Sequence, residues 1–69
     1  MYFIWSIEHN AWWKPQSLGY TRNIREAGMY EEAQAKQIVK MANRGDSFNE
    51  CMIPAYAVID RSGAYVTEK

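Results

Sequence analysis

Two adjacent tryptophans, Trp12 and Trp13, restrict the fold of this chain more than any other feature. Neighbouring side chains in a strand point to opposite faces, so the two indole rings cannot lie on the same side of a sheet. Pro15 follows them and, because it lacks an N–H, ends regular strand pairing. We expect Trp12 to anchor this segment against the core and Trp13 to be at least partly exposed.

The small size of the chain makes aromatic side chains its main source of stability. The chain has 69 residues, and a domain of this size buries only about 60% of the surface that its unfolded chain exposes. Its single cysteine cannot form an intramolecular disulfide, and one cysteine with one histidine cannot supply a four-ligand zinc site. Stability must come from three tryptophans, five tyrosines and two phenylalanines, or from homo-oligomerisation, which the sequence leaves open. We expect a single domain over residues 1–69 with no metal and no cofactor.

The charge balance limits the partners of the protein. Eight basic residues match eight acidic ones, which argues against simple electrostatic binding of DNA or RNA and equally against an acidic DNA mimic. No apolar run approaches the roughly 18 residues that a membrane span needs. The apolar residues 1–5 are too few for a signal-peptide core, and a lone cysteine fits a reducing compartment. We expect a cytoplasmic protein with no membrane contact.

Four segments have the composition of β-strands. They span residues 2–7, 18–23, 51–59 (interrupted at Pro54) and 64–67, and residues 8–17 join the first two as a loop or an irregular hairpin connection. In the first segment, alternation places Phe3, Trp5 and Ile7 on the more apolar face. We expect that face to point towards the core.

Residues 31–43 have the periodicity of an amphipathic helix. The apolar side chains of its single stripe are Ala35, Ile38, Val39 and Ala42. Gly28, in the turn before the helix, suits a positive φ. The predicted order is β-β-α-β-β, a small α+β domain with the helix on one face of an antiparallel sheet and Ile38 facing Trp5.

Two groups could support catalysis, and both have a simpler interpretation. His9 next to Glu8 could act as a general base, but no nucleophile is obviously paired with it. A histidine that closes the loop by hydrogen bonding explains the same residues. The Glu50 carboxylate beside Cys51 would raise the thiol pKa, so a small buried hydrophobic residue is the simpler interpretation of that cysteine. We expect no enzymatic activity and no catalytic residue.

Aromatic and basic residues alternate after the tryptophan pair and form the candidate binding surface. Its members are Trp13, Lys14, Tyr20 and Arg22. Tryptophan, tyrosine and arginine are the usual hot-spot residues of protein interfaces, so a protein partner is our first prediction. The same residues could stack and bind single-stranded nucleic acid, which is the second. Core aromatics with a solvated basic rim are the remaining interpretation.

One long pattern resembles small bacteriophage and prophage proteins that have no assigned activity. It is W-S-x-E-H-x-x-W-W-x-P-x-x-x-G-Y-T over residues 5–21, followed by E-A-G-x-Y over residues 26–30. The resemblance implies an accessory protein in a bacterial host cytoplasm that binds a host or phage macromolecule. Such factors include host-takeover and anti-defence proteins, anti-CRISPR proteins among them. The chain departs from the pattern after the tyrosine, where Glu31 replaces the serine or threonine that caps a helix better.

Overall fold

A computed structural model describes residues 1–43 and 49–59 of the chain. Within these residues the chain forms a four-stranded antiparallel sheet and one α-helix, which confirms the α+β class. The strands are β1 (Tyr2–Ser6), β2 (Ala11–Trp13), β3 (Tyr20–Thr21) and β4 (Glu50–Pro54), and the helix is α1 (Glu32–Ala42). The sheet order is β3-β2-β1-β4, so β1 and β2 lie inside the sheet.

Three strands, rather than two, precede the helix. Strand β2 lies within the segment predicted as a loop, because a tight turn after β1 returns the chain antiparallel beside it. Asn10 in this turn has a φ of 54°, a conformation that asparagine tolerates better than most residues. Trp5 then pairs with Trp12, and Ser6 pairs with Ala11.

The last predicted strands are only partly described. Strand β4 begins at Glu50 and ends at Pro54, where a single 3-10 turn, Ala55–Ala57, replaces the predicted continuation. Proline has no N–H for the strand ladder, which explains why regular pairing stops there. The strand predicted over residues 64–67 lies outside the described residues.

The helix packs on the face of β1 that carries Ile4, and not on the face predicted to point towards the core. The fully buried side chains on this side are Ile4, Tyr30 and Ala35, surrounded by Tyr2, Trp13, Ile38, Val39 and Met52. Ser6 lies on the same face and is also fully buried. The prediction chose the wrong face because the polar Ser6 made the Ile4 face less apolar in sequence. In the structure the turn after β1 provides hydrogen-bond partners for the Ser6 hydroxyl, so this polar side chain can be buried.

The opposite face of the sheet is aromatic. The ring of Trp12 makes edge contacts with Phe3 at 5.7 Å and with Trp5 at 4.9 Å between centroids. Phe3 is buried, whereas both tryptophans are half-buried and Ile7 is exposed. The expected contact between Ile38 and Trp5 is therefore wrong, because the two residues lie on opposite sides of the sheet.

Helix α1 has the predicted apolar stripe, and its ends follow from the sequence. Glu31 is the N-cap and makes no side-chain capping bond, in keeping with its poor capping ability. The exposed Glu32 and Lys36 side chains form an ion pair of 3.0 Å one turn apart. No helix among the described residues is long and apolar enough to cross a membrane.

Asn43, the C-cap of α1, fixes the start of β4. Its Nδ2 donates to the carbonyl of Glu50 at 2.7 Å. Its Oδ1 accepts from the amides of Asn49 at 2.6 Å and Glu50 at 2.8 Å. One amide side chain thus sets the position of Glu50 relative to the helix.

Gly28 is needed for a close contact and not for a positive φ. Gly19 has the positive φ among the described glycines, at 112°, so the expectation for Gly28 is wrong. A Cβ on Gly28 would lie 2.6 Å from the Cα of Pro15, closer than atoms can pack. Its N–H also donates to the carbonyl of Trp13 at 2.9 Å. Because Gly28 has no side chain, its backbone can pack directly on the backbone of Pro15, just after β2.

The buried face can be tested with a pair of isoleucines. We expect Ile4→Ala to lower the free energy of unfolding by about 2–5 kcal/mol, because it opens a cavity in the core. Ile7→Ala should cost only about 0.5 kcal/mol, because Ile7 is 46% exposed. Urea denaturation measures both. Equal losses for the two variants would mean that the helix does not pack on the Ile4 face.

Candidate functional site

The β2–β3 loop, residues 14–19, has a strained and closed backbone. Gln16 and Ser17 have positive φ angles of 59° and 57°. For residues other than glycine this conformation costs about 1–2 kcal/mol each. The amide of Lys14 donates to the carbonyl of Gly19 at 2.8 Å and closes the loop. Such strain persists only where the surrounding structure holds it.

The buried ring of Tyr30 holds the β2–β3 loop in place. Tyr30 is 2% exposed, and its hydroxyl accepts a hydrogen bond from the amide of Ser17 at 3.0 Å. The same hydroxyl donates to the carbonyl of Lys14. Gly28 supports the loop through its contact with Pro15. The loop conformation is therefore set by the core and by the segment that crosses it.

Leu18 is the large apolar residue that this loop exposes. Its exposed fraction is 70%. Sequence analysis did not select Leu18. The signal that could have found it is an apolar residue between Ser17 and Gly19, where a turn favours polar side chains.

Next to the loop, His9 and Tyr20 form a stacked pair, which we call the His9–Tyr20 stack. Their ring centroids are 3.8 Å apart and the planes differ by 16°. Trp13 meets Tyr20 edge-to-face at 5.9 Å. The Oγ of Ser6 lies 3.0 Å from His9 Nδ1 and accepts the His9 amide at 3.1 Å, which fixes the histidine on its turn. His9 therefore closes the connection between β1 and β2 through its contacts with the Ser6 hydroxyl.

A buried carboxylate lies beneath this cluster. Glu50 is 3% exposed, pairs with Ser6 across β1 and β4, and accepts a hydrogen bond from Trp13 Nε1 at 3.3 Å. Burial raises the pKa of the Tyr20 hydroxyl, and the charges of Glu50 and Glu8 raise it further. The hydroxyl of Tyr20 therefore stays protonated at neutral pH, in a field of negative sign.

The structure brings two of the four predicted binding residues into contact. Trp13 and Tyr20 are paired across β2 and β3. Trp13 and Lys14 are half-buried, whereas Tyr20 and Arg22 are exposed. Trp12 lies on the other face of the sheet, as the alternation predicts, and packs edge-on against Phe3 and Trp5. Trp13 packs on the Ile4 core and donates to Glu50, so both rings, and not Trp12 alone, anchor this segment.

Cys51 is a half-buried thiol, not the fully buried residue expected from the sequence. Burial raises its pKa, and the Glu50 carboxylate adds to that effect, as expected from the sequence. Cys51 pairs with Trp5, which places it on the aromatic face, away from His9 and Ser6. In the part of the chain that the structure describes, no three His, Cys, Asp or Glu side chains are placed to hold a metal ion.

No protein family model, no curated protein and no solved structure matches this chain. The resemblance to phage proteins therefore stays a prediction from the residue pattern. The loop that Tyr30 holds and the His9–Tyr20 stack are the features from which a function can be argued.

The role of Tyr30 can be tested by removing one oxygen. Tyr30→Phe deletes the group that joins the Lys14 carbonyl to the Ser17 amide, and we expect a loss of about 1–3 kcal/mol in unfolding free energy. Hydrogen exchange of the Ser17 amide should become at least about tenfold faster as the loop opens. Tyr56→Phe is the control, because Tyr56 is 83% exposed. Unchanged Ser17 exchange in Tyr30→Phe would contradict this role.

The raised pKa of Cys51 predicts a slow reaction with iodoacetamide. The thiolate is the reacting form, so a higher pKa leaves less of it at any pH below that pKa. We expect the midpoint of the pH–rate profile to lie above that of the same protein unfolded in urea, where the thiol should titrate at about 8.5. A native midpoint equal to or below the unfolded one would show that the thiol is not protected.

Proposed function

We propose that this protein is a non-enzymatic binding module that contacts another protein through the loop surface, defined as Trp13, Lys14, Leu18, Tyr20 and Arg22. The observation that carries the proposal is the position of Leu18. An apolar side chain, 70% exposed, is held on a strained loop by hydrogen bonds to a buried tyrosine. This arrangement costs stability and exposes apolar surface, and binding explains both.

A fixed loop favours tight protein binding for a physical reason. Each side chain that must be ordered on association costs about 0.5–1.5 kcal/mol, and a loop that is already ordered avoids part of this cost. The exposed Tyr20 and Arg22, two and four residues after Leu18, belong to the residue types that dominate binding energy at protein interfaces. The partly exposed Trp13 and Lys14 would complete the contact.

The resemblance to phage and prophage proteins supplies the biological setting of the proposal. In that setting the module acts in the cytoplasm of a bacterial host, as an accessory protein. Its first-choice partner is a host or phage protein, and inhibition of a bacterial defence system is one result that such binding would have. The loop surface is the part of the molecule that would make this contact.

Binding of single-stranded nucleic acid is the second candidate function. The exposed His9–Tyr20 stack favours it, since bases stack on aromatic rings, and Lys14 and Arg22 could contact phosphates. Glu8 and Glu50 oppose it, because their charges act at the Tyr20 hydroxyl and repel phosphate. With no net charge on the chain, the protein partner is the better supported candidate.

The proposal predicts that partner capture depends on Leu18. The immobilised protein is exposed to bacterial lysate, and captured proteins are identified by mass spectrometry. We expect Leu18→Ala to weaken capture of a specific partner by about tenfold, which corresponds to about 1.4 kcal/mol, while the melting temperature is almost unchanged.

The control is Tyr56→Ala, which removes an exposed aromatic residue from the turn after β4, the strand at the opposite edge of the sheet from β3. Capture that is equally strong in Leu18→Ala and in the unmodified protein would refute the proposal. Fluorescence polarisation with single-stranded DNA tests the second candidate. Sub-micromolar affinity at about 150 mM salt, with a steep salt dependence, would favour nucleic acid.

A further inference from the structure

Two carboxylates, those of Glu8 and Glu50, act at the His9–Tyr20 stack. Glu8 is exposed, precedes His9 directly, and makes no hydrogen bond or ion pair with the residues that the structure describes. The Glu50 carboxylate accepts from Trp13 Nε1 at 3.3 Å, and the Trp13 ring contacts Tyr20. Glu8 is therefore next to the stack in the chain, and Glu50 is linked to it through Trp13.

We propose that the His9–Tyr20 stack, with Glu8 beside it and Glu50 behind it, binds an arginine side chain of the partner protein. The proposal rests on the proposed function and specifies the chemical group that the partner presents. It assigns a role to His9 and Glu8, which lie outside the loop surface.

Aromatic faces and carboxylates attract cations by two additive effects. The face of an aromatic ring carries partial negative charge and attracts a cation within about 6 Å of its centroid. Tyr20 is 41% exposed and His9 is exposed, so the pair keeps ring surface that a partner can reach. Glu8 supplies a full negative charge that no described residue neutralises. The raised pKa of Tyr20 indicates that both carboxylates act at this position.

The site is formed before a partner arrives. Ser6 holds His9 through two contacts, at 3.0 and 3.1 Å. Trp13 meets Tyr20 edge-to-face, and the hydrogen bond between Trp13 and Glu50 fixes that indole. A cation can therefore bind without the cost of arranging the rings, whereas the side chain of Glu8 stays free to form an ion pair.

The shape of the site favours guanidinium over ammonium. A guanidinium is planar, can continue a stack of flat rings, and can donate two parallel hydrogen bonds to one carboxylate. An ammonium is also attracted by Glu8 and by an aromatic face, but it cannot lie flat on a ring or donate two parallel hydrogen bonds to one carboxylate.

The test is an NMR titration of the full chain with a tetra-arginine peptide. We expect saturable shifts of the Tyr20 and His9 ring signals. A tetra-lysine peptide should bind at least about threefold more weakly, because it cannot stack, and a tetra-glutamate peptide should cause no such shifts.

Two variants locate the binding. Tyr20→Leu and Glu8→Gln should each weaken tetra-arginine binding at least about threefold. Their matched controls are Tyr56→Leu, at an exposed aromatic, and Glu31→Gln, which removes the same charge from the exposed N-cap of α1. Neither control should change the affinity. Glu8 is exposed and its side chain makes no described hydrogen bond, so Glu8→Gln keeps the test valid even if Tyr20→Leu unfolds.

Three results of the peptide titration would overturn the inference. They are the absence of Tyr20 and His9 shifts at saturation, equal binding of tetra-arginine and tetra-lysine, and equal effects of Glu8→Gln and Glu31→Gln.

Partner capture separates this inference from the proposed function. Capture that depends on Leu18 but is insensitive to Glu8→Gln would leave the proposed function standing and refute the arginine site. Capture that is insensitive to Leu18→Ala would refute the proposed function. The peptide titration would still show whether the His9–Tyr20 stack binds arginine.

Discussion

The side chain of Tyr30 connects the core of this protein to its proposed binding surface. The Tyr30 backbone makes two hydrogen bonds of 2.7 Å with Tyr2, which attaches the chain before the helix to the first strand. Its ring packs with Ile4 and Ala35, the buried centre between sheet and helix. Its hydroxyl then holds both sides of the β2–β3 loop, at Lys14 and Ser17. Tyr30 thus links the core to the β2–β3 loop and holds the loop in its conformation.

The far end of β1 is organised by polar side chains. The hydroxyl of Ser6 is buried because His9 provides its hydrogen-bond partners, and Asn43 binds the backbone of Glu50 on the neighbouring strand. These two devices place an imidazole on the surface and a carboxylate beneath it. Trp13 joins them, since its indole N–H binds Glu50 while its ring packs on the core. The polar groups of the proposed arginine site are therefore also the groups that close this end of the fold.

The sequence predicts the elements that depend on local pattern and misses those that depend on distant partners. The apolar stripe identified α1, and strand composition identified β1. Strand β2 was missed because Pro15 suggested a loop, although pairing ends just before it. Ser6 led to the wrong core face, since its hydrogen-bond partner comes from a turn that no local rule specifies. The burial of Glu50 depends on the Asn43 side chain across the helix end, and the exposure of Leu18 depends on strain that composition does not reveal.

The cost of the β2–β3 loop is large for so small a protein. Two non-glycine residues with positive φ, Gln16 and Ser17, cost about 1–2 kcal/mol each, against a total stability of about 5–15 kcal/mol for ordinary domains. A relaxed loop with glycine at these positions would avoid that cost and would not need the hydroxyl of Tyr30. The chain instead keeps both the strain and the tyrosine that holds it, and the outcome is an exposed Leu18 beside Tyr20. The two positive φ angles belong to the turn at Gln16 and Ser17, which the Leu18 amide closes on the Pro15 carbonyl at 3.2 Å, and turns of this kind suit the twist of a hairpin. The hairpin therefore accounts for the backbone conformation, and the fixed, exposed position of Leu18 that results is the feature that a preformed binding surface would use.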